Sequence, residues 1–182
     1  MEPIIGWNSN DPIFRDLITK TKPKIIIEVG SWHGASAINM ALICKELGLD
    51  TTIYCVDTWL GAVEFYTHPT PERDLMLKDG YPQVYYKFLD NIRKAGVESM
   101  IKPITLPSNL AHRILPNADL IYIDGSHEYE DVKNDIIHYR QKLNKGGIIF
   151  GDDYSNTVFP GVKKAVDEFN REIINNWFWK LC

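Results

Sequence analysis

The chain has 182 residues, of which 45% are hydrophobic, 12% aromatic and 24% charged. That composition supports one well-buried core and excludes a disordered chain. Twenty Lys and Arg against 24 Asp and Glu leave a formal charge of −4, and the densest basic stretch is only Lys20–Lys24, so no broad basic face is offered to nucleic acid.

Asp11 is placed to cap a first helix that opens on Pro12 and runs to about Lys22. Lys24–Val29 reads as a buried strand closed by Gly30. Gly34–Leu47 is helical, with Gly48 as its stop, and Thr51–Val56 is a second strand. Residues 57–80 hold four turn formers (Gly61, Pro69, Pro71, Gly80) and no clear period. A helix over Tyr81–Ala95 follows, with Val84, Tyr85, Phe88, Leu89 and Ile92 on one stripe. Met100–Leu106 is a third strand and Asp119–Ile123 a fourth, with a short helix between them that stops before Pro116. Tyr129, Val132, Ile136, Tyr139 and Leu143 mark the next helix, and Gly147–Gly151 is the fifth strand. Pro160 opens a last helix with Val162, Val166, Phe169 and Ile173 on one face, leaving Trp177–Leu181 as a final short strand. Five βα units with nearly continuous apolar strands mean a single doubly wound α/β domain over 1–182, its parallel sheet covered on both faces.

Three cysteines, Cys44, Cys55 and Cys182, show no CxxC spacing, which suits a reduced, cytoplasmic chain. The start, Met1-Glu2-Pro3-Ile4-Ile5, has no basic region followed by a long apolar run. No apolar run reaches the roughly 18 residues of a membrane span. Neither export nor membrane insertion is expected.

In such a sheet, ligands bind beyond the carboxyl ends of the strands. Here those ends read Glu28-Val29-Gly30, Asp57-Thr58-Trp59, Ser108-Asn109, Asp124-Gly125-Ser126-His127 and Gly151-Asp152-Asp153. The first turn, Gly30 to Ser36, has glycine at both ends of its tight part, so Gly30 can let backbone approach a ligand while Gly34 brings the helix close. Trp32 stands where a dinucleotide turn has its middle glycine, which disfavours a pyrophosphate. Asp57 is placed for both hydroxyls of a ribose. Glu28 lies in a buried run, so something cationic should meet it, and the amino group of a ligand would serve. Asp124, Asp152 and Asp153 end adjacent strands; carboxylates so crowded repel unless a proton or cation lies between them, and a hard divalent ion such as Mg²⁺ suits them. His127 is the candidate base. His33, His68, His112 and His138 show no metal-ligand spacing, and His112 and His138 read as surface or packing residues.

Each feature has a plainer alternative: Asp57 as a loop cap, Asp124-Gly125 as a turn, His127 as solvent decoration at a helix start. Taken together and in order, Glu28-x-Gly30-x-x-x-Gly34-x-Ser36, Val56-Asp57-Thr58-Trp59, Ile123–His127 and Gly151–Tyr154 resemble the class I S-adenosylmethionine-dependent methyltransferases. The likeness spans about residues 24–170 and is strongest to small metal-dependent O-methyltransferases of the macrocin sugar type; cephalosporin-hydroxylase-like proteins share much of the pattern.

That resemblance implies a Rossmann-like sheet of order 3-2-1-4-5 plus one short C-terminal strand. It also implies S-adenosylmethionine as cofactor, with Mg²⁺ on Asp124, Asp152 and Asp153 and His127 as general base. Glu28 would then meet the methionine amino group. Gly30, Ser31, Gly34 and Ser36 would wrap the methionine portion, Asp57 would hold the ribose, and Thr58 and Asp124 would also contact the cofactor. Trp59 would cover the adenine, with Ser108 and Asn109 at its edge. The acceptor would be a small hydroxylated molecule, selected mostly by a covering loop over 60–80 that carries Phe65, Tyr66, His68 and Arg73. The N-terminal segment is too short for an elaborate lid. The C-terminal aromatics are expected in the core or in a dimer contact. Two other readings compete: a metal-dependent hydrolase or lyase on the same carboxylates, and a nucleotide-binding protein without catalysis. The first leaves Glu28, the glycine turn and Asp57 unexplained; the second leaves His127 and the three aspartates so.

Overall fold

A computed structural model describes residue 4, residues 6–67 and residues 75–182. In chain order its elements are α1 (Pro12–Thr21), β1 (Ile25–Val29), α2 (Ala35–Glu46), β2 (Thr52–Val56), α3 (Val63–Thr67), α4 (Val84–Lys94), β3 (Ile101–Ile104), α5 (Ser108–Ala111), β4 (Ala118–Ile123), α6 (Tyr129–Arg140), β5 (Leu143–Gly151), α7 (Pro160–Val166), β6 (Arg171–Ile174) and β7 (Phe178–Leu181). The first helix starts as its sequence demands: Asp11 Oδ1 accepts the backbone N–H of Ile13 at 2.8 Å, with Pro12 at the first helical position.

The strands form one sheet of order β3-β2-β1-β4-β5-β7-β6. β1 pairs in parallel with β2 on one side and β4 on the other, so the order of strands reverses between β1 and β4. Side-chain alternation along each strand divides the core between the two faces. Ile26, Ile53, Tyr122, Phe150 and Phe178 pack with α1, α2 and α4, whereas Ile27, Val56, Ile121, Ile149 and Trp179 pack with α5, α6 and α7. Phe14 of α1 anchors the first face, meeting Tyr122, Phe150 and Phe178 edge-on at 5.1, 5.7 and 5.9 Å.

The C-terminus departs from the expected single strand. α7 stops at Val166, and Arg171–Ile174 forms a strand rather than more helix. β6 and β7 make an antiparallel hairpin, and β7 runs antiparallel to β5. Asn175 and Asn176, in the three-residue turn between the paired Ile174 and Phe178, take φ of 43° and 69°, left-handed values that asparagine tolerates. Phe178 and Trp179 are buried within this chain, and Trp179 Nε1 donates to the Asp152 carbonyl at 3.1 Å. Among the described residues no helix is long and apolar enough to cross a membrane.

Candidate functional site

The carboxyl ends of β1 to β5 open into a cleft of about 1010 Å³. Gly30, Ser31, Ser36, Asp57, Thr58, Ser108, Asn109, Asp124, His127, Asp152 and Asp153 all line it. The reversal of strand order thus places the expected polar residues on one edge.

Asp57 does more than face a ligand. Its Oδ2 accepts the backbone N–H groups of Ser31 at 3.0 Å and Trp32 at 2.8 Å, and its Oδ1 accepts that of Trp59 at 2.7 Å. The carboxylate therefore fastens the glycine turn to the end of β2. Burial pushes its pKa up, and the amides of Trp59, Trp32 and Ser31 counter that. The amide of Thr58 counters it as well.

Gly30 takes φ +86°, and a Cβ there would collide with the carbonyl oxygen of Asp124. The close approach is thus made to β4, where the expectation was a ligand. Gly34, also at positive φ, is pressed against the Phe88 ring of α4. Trp32 sits between them in the left-handed region at φ 45°, held there by Asp57. Its ring stacks on His33 at 4.9 Å and on Phe65 of α3 at 4.5 Å. Trp32 Nε1 and both ring nitrogens of His33 are buried without a hydrogen-bond partner in the structure. Such groups in a cleft wall fit a polar ligand that supplies what the fold leaves unmet. Burial, with Lys87 adding to it, pushes His33 down to about 4, so the ring is neutral.

Glu28 differs from its expected role. It is 0% exposed, and its carboxylate accepts the hydroxyls of Ser31 at 2.5 Å and Ser36 at 2.6 Å. The Cys55 thiol adds a third hydrogen bond. Neutral donors, and not a cation, satisfy it, and burial still pushes it up to about 6. Ser31 and Ser36 turn their hydroxyls inward to this carboxylate, so what the turn offers the cleft is chiefly backbone. Trp59 departs too: at 2% exposed it packs on Tyr85 and Phe88 and donates Nε1 to the Trp32 carbonyl at 2.9 Å. It braces the turn from within the core.

At the opposite end, Asp124, Asp152, Asp153 and His127 surround a small cavity of about 10 Å³, room for a single water or ion. Burial raises Asp124 well above the carboxylate range, and the charges of Asp153 and Asp152 raise it further. Burial pushes Asp152 up to about 6. A hard divalent cation fits this all-oxygen donor set and would relieve the repulsion. The carboxylates are nonetheless directed elsewhere: Asp124 Oδ2 accepts the Tyr122 hydroxyl at 2.9 Å, Asp152 Oδ2 the Asn8 amide at 3.1 Å, and Asp153 Oδ2 meets His127 Nε2 at 3.0 Å. Among the described residues, no three such groups converge on one point. Asp153 takes φ 65°, a left-handed conformation that aspartate tolerates and that turns its side chain toward His127. The imidazole also stacks on Phe159 at 4.0 Å.

Several contributors were not visible in the sequence. Gly6, Trp7, Asn8 and Ser9 line the cleft, as do Val158, Phe159 and Trp177. The N-terminal segment therefore borders the site; its contact with Asp152 spans 144 residues and has no local signature. Asp135 also lines the cleft. Of the covering loop, Phe65 reaches the cleft and Tyr66 donates to the Leu60 carbonyl at 2.7 Å, while His68 and Arg73 lie outside the described residues. His112 and His138 stack on each other at 4.2 Å, as packing residues.

A family model described as a methyltransferase domain matches residues 27–154. Among curated proteins, an uncharacterized protein (y4gI) of Sinorhizobium fredii is 25% identical over 154 residues, covering 84% of this chain and 15% of that protein. An uncharacterized protein (R132) of Acanthamoeba polyphaga mimivirus is 36% identical over 85 residues, covering 43% of this chain and 35% of that protein. The chain thus spans well under half the length of both. Solved structures share the fold at low identity. The O-methyltransferase NovP aligns with a TM-score of 0.68 at 17% identity, over 93% of this chain and 77% of its own. CalS11, a TDP-rhamnose 3′-O-methyltransferase, gives 0.63 at 20%, over 94% and 78%. The SAH-bound methyltransferase PaMTH1 of Podospora anserina gives 0.65 at 15%, over 93% and 75%.

Proposed function

The chain belongs to that methyltransferase-domain family, and we propose on this footing that it moves the methyl group of S-adenosylmethionine to a hydroxyl oxygen of a small acceptor. The observation that carries the reading is the His127–Asp153 pair at 3.0 Å, set in the same cleft as the turn that Asp57 fastens. A base is needed because a neutral hydroxyl is a weak nucleophile.

Bound S-adenosylmethionine supplies an electrophilic methyl carbon on a positively charged sulfur. Asp57, through the amides of Ser31 and Trp32, keeps the glycine turn in one shape, so the cofactor meets a preformed wall. Asp153 Oδ2 accepts the Nε2 proton of His127, fixes the tautomer, and stabilises the imidazolium once it forms. With the cofactor bound, His127 would take the proton of the acceptor hydroxyl, leaving an oxygen nucleophile for the methyl group. Phe159, stacked on the imidazole at 4.0 Å, covers one face of the base. Asp124, Asp152 and Asp153 would hold Mg²⁺, whose chemistry there is to lower the pKa of the acceptor hydroxyl and orient it. Sugar and catechol-like hydroxyls both suit the wall, and residues 6–9, Phe65, Val158 and Phe159 would choose between them.

The test is mass-spectrometric detection of S-adenosylhomocysteine formed from S-adenosylmethionine with panels of sugars and catechols, each with and without Mg²⁺. Acceptor-dependent product in the wild type, lost in His127→Ala, is expected. Equal product from His127→Ala would overturn the role of His127, and no product with any hydroxyl would overturn the O-methyl transfer.

A further inference from the structure

The cleft carries charge of one sign. Among the described residues that line it, seven are Asp or Glu and none is Lys or Arg. Its two imidazoles do not balance them: His33 is neutral, and His127 is paired with the carboxylate of Asp153. His33 is 4% exposed and both its ring nitrogens lack a partner, so it offers the cleft a polar contact without charge. Lysines on the adjoining helices are engaged elsewhere. Lys133 pairs with Glu168 at 2.8 Å, Lys163 pairs with Asp167 at 2.6 Å, and Lys164 lies over the Tyr129 ring at 3.8 Å.

Most of these carboxylates already have a task. Asp124, Asp152 and Asp153 are the set that Mg²⁺ would balance, backbone amides satisfy Asp57, and Asp135 is buried with a hydrogen bond from Ser108. Glu128 and Asp131 remain. Glu128 holds the N-cap position of α6 without a side-chain cap bond, and Asp131 stands in the first turn. The Ser126 hydroxyl donates to Asp131 Oδ2 at 2.8 Å and accepts the Glu128 amide at 3.1 Å, which fixes both beside His127. Among the described residues neither forms an ion pair. Acids in a first helical turn complement the helix dipole, but Glu130 does that from outside the cleft lining. A cleft walled by charges of one sign concentrates ligands of the opposite sign and repels those of its own.

Resting on the reading of this cleft as a site of O-methyl transfer, we propose that the acceptor carries a protonated amino group that docks against Glu128 and Asp131, and that acceptors bearing a carboxylate or phosphate are turned away. An ammonium brings three donors and no acceptor, which suits two carboxylates lacking a cation. The chemistry recognised is an ammonium set near a hydroxyl, and an amino sugar and a hydroxylated aromatic amine both present it.

Two matched series, assayed at neutral pH with Mg²⁺, test this and separate those sources. Dopamine, 4-ethylcatechol and dihydrocaffeate differ only in a side chain ending in an ammonium, a methyl or a carboxylate; glucosamine, glucose and glucuronate form the sugar series. The readout is kcat/KM from S-adenosylhomocysteine release. The wild type should favour the ammonium member over the carboxylate by roughly 100-fold at about 0.01 M salt. That ratio should shrink severalfold at about 0.15 M, as the screening length drops from about 30 to about 8 Å. Glu128→Gln combined with Asp131→Asn keeps an acceptor for Ser126 but removes both charges, and should bring the ratio below about tenfold. Glu130→Gln, in the same turn but outside the cleft lining, should leave it in place. A wild type that treats the three members alike, or prefers the carboxylate, overturns the proposal and leaves methyl transfer standing. A ratio that the double variant keeps in full overturns it too. No transfer to any member, the neutral ones included, overturns the transfer reading and the proposal with it.

Discussion

Asp57 Oδ2 lies 2.8 Å from the backbone nitrogen of Trp32, and the same oxygen accepts the amide of Ser31. A residue legible as a ribose ligand is thus also part of the unliganded fold. Asp57→Ala would strip the acceptor from three backbone N–H groups, those of Ser31, Trp32 and Trp59. At about 1–3 kcal/mol for each group left buried and unmet, a loss of roughly 3 kcal/mol or more is expected after relaxation. Urea unfolding of the ligand-free protein measures it. Unchanged stability would mean that the carboxylate serves the ligand alone.

His127 and Asp153 act as a pair in the account above. His127→Ala should lower kcat by about 10²–10⁴, the usual worth of a positioned base. Asp153→Asn should lower it less, and the double variant should fall little below His127→Ala, because the two residues share one function. Steady-state rates with S-adenosylhomocysteine affinities measured alongside test this. Strictly additive losses, or affinities that fall with the rates, would contradict it.

Glu28 makes stability depend on pH in a direction that can be worked out. Its folded pKa of about 6 lies above the ordinary 4.5. Between those values the folded state binds more protons than the unfolded one, so this group's contribution falls as pH rises from about 4 to 7. A shift of about 1.5 pH units corresponds to roughly 2 kcal/mol. The stability of Glu28→Gln relative to wild type should therefore improve by about that amount between pH 4 and pH 7. A difference that is flat across this window would show that Ser31, Ser36 and Cys55 fully compensate the buried charge.

Magnesium can be tested apart from turnover. If Asp124, Asp152 and Asp153 hold the ion, Mg²⁺ at ten times its dissociation constant should stabilise the folded chain by about 1.4 kcal/mol, a rise of a few degrees in Tm. Asp124→Asn should lose the response. A wild-type Tm indifferent to millimolar Mg²⁺ and to EDTA would leave the three carboxylates to their partners Tyr122, Asn8 and His127.

The strands and their ends are legible because apolar runs and glycine stops are local signals, so the sequence alone places Gly30, Asp57, Asp124, His127, Asp152 and Asp153 on one edge. The sheet order followed from the family resemblance. What side chains do at those places was less legible. Glu28 was expected to need a cation, but two serines and a cysteine close in space satisfy it. Trp59 sits next to a site residue in sequence, yet its backbone turns the ring into the core. Trp177–Leu181 was legible as a strand, whereas residues 171–174 read as the end of the last helix, because a strand of four residues is too short for a period to show. Asn8 and Asp135 reach the site through the tertiary fold: one from a distant segment, the other from a helix position outside the apolar stripe of Tyr129, Val132, Ile136 and Tyr139.

Whether this cleft binds the adenosyl cofactor is read by calorimetric titration with S-adenosylhomocysteine, in Mg²⁺ and then in EDTA. Micromolar binding in both buffers, abolished in Asp57→Ala, is the predicted result. No binding in either buffer would contradict the account.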